Sequence, residues 1–183
     1  MPSSFSHAAV AIALGSLAAP RPLLRPFVVA GALCAVMPDL DIVGPGGFGL
    51  LGGHRGFTHS LTFAALVGLA SAVVVRTRPE WRGARIRLLL FIAVATATHG
   101  CLDSLTSVSR GVQLLSPFSF QQFRVPLLRS GAEELVRLFL PSMVLAGLVL
   151  YVRGCRLPRF EREHILSIRE EPVPQHSRRG QPS

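Results

Sequence analysis

Lysine is absent from the 183 residues and aspartate nearly so. All 19 basic residues are Arg, and the Asp residues are Asp39, Asp41 and Asp103. Charged residues make up only 16% of the chain, against about 25% in an ordinary soluble domain. Apolar residues fill the gap, at 49% with a mean hydropathy of +0.45. That excludes a surface wetted all round and makes lipid part of the solvent. Cys34, Cys101 and Cys155 form no CxxC pair, so neither a zinc ribbon nor a disulfide framework is expected. Cys34 and Cys101 lie inside apolar runs and read as small hydrophobes. The first apolar run, His7 to Ala19, lacks a preceding basic region, so it reads as a retained segment rather than a cleaved signal. No internal repeat is visible.

The net charge is +9. Nucleic acid is one reading of such a balance. Here the Arg residues fall between apolar runs, and no basic stretch is interleaved with aromatics. Membrane-flanking loops account for them better, and no nucleic-acid partner is expected.

Five apolar segments are predicted, over residues 6–19, 23–37, 58–76, 85–103 and 133–152. The fold class is therefore all-α: a polytopic helical membrane domain over 1–152. An Arg-rich, partly disordered tail follows over 153–183. Fifteen helical residues cover only about 22 Å of a hydrocarbon core of about 30 Å. The last three segments can span with their ends included. The first two, with Pro22 and Pro26 at the turn between them, are expected either to span or to form a re-entrant hairpin.

Five segments alternate the loops between two faces. One face collects Arg21, Arg25, Arg76, Arg78, Arg82, Arg85, Arg87 and the tail; the other holds Arg55, Arg110, Arg124 and Arg129. Positive charge marks the first face as cytoplasmic. All three Asp, together with His7, His54, His59 and His99, fall on the opposite face. Glu133 and Glu134 open the last helix there too, where the helix dipole favours a carboxylate in any case. His164 and His176 lie in the tail and look incidental.

Three motifs carry chemistry. In Met37-Pro38-Asp39-Leu40-Asp41, carboxylates at i and i+2 can share a cavity as ligands for zinc, manganese or magnesium, and Asp41 can serve as a ligand or a base. In His54-Arg55-Gly56-Phe57-Thr58-His59-Ser60, two imidazoles flank a turn. Thr58 or Ser60 can cap the next helix or support a ligand, and the fork of Arg55 suits phosphate. In His99-Gly100-Cys101-Leu102-Asp103, the i, i+4 spacing puts His99 and Asp103 on one helix face. Ionisable groups are costly inside a membrane and usually functional there. The expected ligands of one or more divalent ions, zinc first, are His7, Asp39, Asp41, His54, His59, His99 and Asp103.

Taken together, these motifs resemble the YdjM-like family of membrane-bound, predicted metal-dependent hydrolases. The resemblance runs over about residues 3 to 152. It includes the later strings Leu115-Ser116-Pro117-Phe118-Ser119 and Phe123-Arg124-Val125-Pro126. It implies a helical fold with a metal site, and a Glu after the loop, Glu133 or Glu134, with Glu134 favoured on spacing. More remotely the family is similar to zinc-dependent phospholipase C and P1-type nucleases, an analogy at the level of fold. The function expected is a membrane-bound metal-dependent hydrolase acting on a lipid-type phosphoester, with Asp41, Arg55 and Glu134 as catalytic residues. Membrane lipid is the expected partner. The alternatives are an intramembrane metal-binding or transport protein without catalysis, and a scaffold working through the basic tail.

Overall fold

The computed structural model describes residues 4–42, 55–106 and 111–154. Six α-helical stretches occur among them: α1 (Ser4–Ala18), α2 (Leu24–Val36), α3 (Leu61–Val74), α4 (Arg85–Ser104), α5 (Gly131–Glu134) and α6 (Leu140–Gly154). A π-helical turn over Leu135–Phe139 joins α5 to α6 in one rod. No strand occurs among the described residues. Two isolated bridges, Thr106 with Leu128 and Val112 with Phe123, organise the connection between α4 and α5.

Tight 3-10 turns, Arg21–Leu23 and Met37–Ile42, extend α2 at both ends. Residues 21–41 thereby make a 21-residue apolar rod. Pro22 stands in the first of these turns and Pro26 in the first turn of α2, where the missing N–H costs no helical bond. The rod at residues 21–41, α4 and the rod at 131–153 are long and apolar enough to cross a membrane. Helices α1 and α3 are shorter. For α3 this differs from the predicted segment 58–76. Phe57–His59 forms a 3-10 turn, and the Ser60 hydroxyl caps the helix by accepting from Phe63 N at 3.1 Å. The remaining 14 residues of α3 reach only about 21 Å.

Helix α4 is the central element and packs on α1, α2 and α3. Of its apolar window 44% is buried within the chain, against 6% for the rod at 131–153. The last rod therefore presents most of its surface outward, and its Val144, Leu148 and Tyr151 are exposed. Phe27 stacks on both Trp81 and Phe91, with ring centroids 5.4 and 5.6 Å apart. Gly68 lets α3 approach the backbone of α4 at Leu89. At the other end of α1, the Arg153 guanidinium donates to the carbonyls of Ser16 and Ala19. It thereby occupies backbone acceptors that a helix terminus leaves open.

Candidate metal centre

Four side chains meet at the ends of the helices. His59 and His99 face each other Nε2 to Nε2 at 3.2 Å. Asp39 Oδ1 lies 3.2 Å from His99 Nε2 and 3.9 Å from His59 Nε2. Asp103 Oδ2 lies 3.5 Å from His59 Nε2 and 4.0 Å from His99 Nε2. Those separations bracket the edge of a tetrahedral zinc site, about 3.3 Å for ligands at about 2.0–2.1 Å.

The outer nitrogens fix which ring atoms carry protons. His99 Nδ1 sits 2.7 Å from the carbonyl of Ala35. A carbonyl only accepts, so Nδ1 is the donor and the neutral ring presents a bare Nε2. Around His59 the relay is longer. The Thr58 hydroxyl donates to Asp41 Oδ2 at 2.7 Å and lies 3.0 Å from His59 Nδ1. With its one proton given to Asp41, the hydroxyl accepts from His59 Nδ1. That ring too turns a lone pair inward. Two lone pairs and two carboxylates then converge on one point, an arrangement that fits a divalent cation.

His7 adds to the same centre from α1. It is fully buried, and its Nδ1 has no hydrogen-bond partner. A buried polar group of this kind is costly unless something binds it. Its ring stacks on His99 with centroids 3.9 Å apart, and its Nε2 lies 3.5 Å from Asp103 Oδ1. The carboxylate of Asp103 thus turns one oxygen to His7 and the other to His59 and His99. Two overlapping donor groups result, His7 with His99 and Asp103, and Asp39 with His59 and His99.

Arg55 approaches from the second motif, its Nε 3.3 Å from Asp103 Oδ2. The side chain is buried, and beyond the pairing of Nε with Asp103 its Nη2 has no hydrogen-bond partner. Its φ of 69° is uncommon for a residue with a Cβ, and such strain is tolerated where the surroundings hold it.

Of the residues singled out in the sequence, His7, Asp39, His59, His99 and Asp103 are brought together at this point. Asp41 stands on the Nδ1 side of His59, 3.6 Å away, as an orienting carboxylate outside the inner donor groups. Glu134 is buried at the start of the last rod, which packs against α1. Glu133 caps that helix: its N–H donates to Ser130 Oγ and its carboxylate accepts from Arg129 N at 2.8 Å. His54 lies outside the described residues, as do His164, His176, Cys155 and nearly all of the tail. The sequence reading missed Ser4, whose hydroxyl donates to Asp39 Oδ2 at 2.9 Å. It also missed Gly100, where a Cβ would run into the carbonyl of His59. A serine two residues before an apolar run carries no signal of its own, whereas a Gly beside a helical His is a visible clue to close packing.

The chain is 33% identical over 175 residues to the inner membrane protein YbcI of Escherichia coli (strain K12), covering 84% of this chain and 99% of that protein. No solved structure matches. The model of the family described as YdjM inner membrane protein matches residues 1–159, so the chain belongs to that family and is an integral protein of the inner membrane.

Proposed function

We propose that the protein is a membrane-bound, metal-dependent hydrolase of lipid-type phosphoesters. The observation that carries this reading is the approach of the Nε2 atoms of His59 and His99 to 3.2 Å, set between the carboxylates of Asp39 and Asp103. A divalent ion, zinc before manganese or magnesium, would supply Lewis acidity there, polarising a phosphoryl oxygen and acidifying water.

The chain's own residues do the rest. Asp39, His59, His99 and Asp103 hold the cation, and His7 adds a further donor through the second oxygen of Asp103. His54 is assigned to the same ligand set from its motif. Thr58 and Asp41 keep His59 turned inward, and Asp41 is also the nearest carboxylate able to take a proton through that relay. Arg55, paired through Nε with Asp103, offers its buried Nη2 to a phosphoryl oxygen as charge builds on it. Glu134 is assigned to proton transfer on the side of α1. The Arg-rich loops and tail face the cytoplasm in this reading, and the centre faces the extracytoplasmic side.

Elemental analysis of the detergent-purified protein tests the proposal, beside His59→Ala and Asp103→Asn. Stoichiometric zinc or manganese in the parent, lost from folded variants, is the expected result. Phospholipid vesicles and an aryl phosphodiester then report hydrolysis. A parent that takes up no metal after exposure to both ions sinks the reading. Bound metal without hydrolysis of any phosphoester favours a non-catalytic ion-binding protein instead.

A further inference from the structure

The connection between α4 and α5, residues 105–130, contains no Asp or Glu and three Arg: Arg110, Arg124 and Arg129. It is also rich in Phe, Leu and Val. Its described part, 111–130, is tied down on the side facing the helices. Val112 and Phe123 exchange backbone bonds at 3.0 and 2.9 Å, and Val125 N donates to Ser104 O at 2.8 Å. Leu127 N donates to Leu105 O at 2.9 Å, and Leu61 N to Leu114 O at 2.9 Å. Gln113 N donates to Arg55 O at 3.1 Å, which fastens the segment directly to the metal centre. Val112, Ser116 and Leu128 are buried underneath.

The outward side is unlike that of a wetted loop. Phe118 is 87% exposed, Phe120 56% and Leu127 57%, with Leu115 and Val125 exposed beside them. Single exposed hydrophobes are ordinary, but a grouped apolar and aromatic patch marks an interaction surface. The segment leaves one membrane-spanning helix at Ser104 and enters the next at Gly131. Its patch therefore lies at one end of two candidate membrane-spanning helices. Aromatic side chains settle at the headgroup level of a bilayer, and Arg side chains there are drawn to anionic headgroups. The ties to Ser104, Leu105 and Leu61 satisfy part of the backbone, as immersion at that depth requires.

We infer that residues 115–127 form a platform seated in the interfacial layer of the membrane, with Phe118 and Phe120 inserted among anionic phospholipids of the leaflet on the metal-centre side. The platform is joined to the neighbourhood of the centre through the bond from Gln113 N to Arg55 O. This placement stands on the loop alone and does not require hydrolysis.

Trp81 is the chain's one Trp, so an indole can report the position. The full-length Trp81→Phe, Phe118→Trp chain is reconstituted in phosphatidylglycerol vesicles containing phosphatidylcholine brominated high on its acyl chains. The expected result is loss of most of the indole emission to the brominated lipid, with little loss to iodide in the water. Efficient quenching by iodide and none by brominated lipid overturns the inference. Trp81 is packed against Phe27, so its replacement can unfold the chain. In that case the difference in emission between Phe118→Trp and the parent gives the same information. Metal content measured on the same samples separates the two proposals: a seated platform with no metal counts against the hydrolase reading alone.

Discussion

His99 Nδ1 and the carbonyl of Ala35, 2.7 Å apart, join α4 to α2 and decide the chemistry of the ring's other nitrogen. A backbone carbonyl cannot titrate or rotate away, so the tautomer of His99 is set by the packing of two helices. His59 is held by a weaker device, the side chains of Thr58 and Asp41. The two imidazoles are thus orientated with different robustness.

Thr58→Val removes the hydroxyl that links His59 to Asp41 while keeping the shape. Outer partners of this kind are worth about 10–100-fold in metal affinity. A loss of that size is expected in competition with a zinc-binding dye, with the folded helix content unchanged. Affinity equal to that of the parent would show that Asp41 holds His59 without the hydroxyl.

Two glycine substitutions should behave in opposite ways. At Gly100 a Cβ collides with the carbonyl of His59, whereas at Gly147 nothing lies within 4 Å. Gly100→Ala is expected to destabilise by about 1–3 kcal/mol, as overpacking does, and to lower metal content by displacing His59. Gly147→Ala is expected to be neutral or to stabilise by up to about 1 kcal/mol through helix propensity. Thermal unfolding in detergent, read with metal analysis, checks both.

The Arg distribution predicts the orientation. A fluorescent protein fused at the C-terminus should fluoresce in cells, and an alkaline phosphatase fused at the same point should be inactive. The reverse pattern would place the metal centre on the cytoplasmic face.

Most of the centre was legible because charge is so scarce in this chain. With three Asp in 183 residues, each one stands out against an apolar background, and helical spacing alone pairs His99 with Asp103. Helix ends were harder to place. Segment 58–76 reads as one apolar run, yet its first residues turn away as a 3-10 turn because His59 must point inward and Ser60 supplies the cap. The role of Asp41 was hidden for a related reason. Spacing puts it beside Asp39, but only the fold shows that Thr58 stands between it and the inner donors. No sequence pattern announces a carbonyl such as that of Ala35, since every residue has one.

The donor set has a consequence for how the protein is made. His7 comes from the first helix, Asp39 from the end of the second, His59 from the turn before the third, and His99 with Asp103 from the fourth. A chain still emerging from the ribosome holds at most three of these five side chains until α4 has entered the bilayer. The full set comes together only when the fourth helix docks, so on the proposed metal-binding reading ion capture would come late in biogenesis and mark a correctly threaded chain.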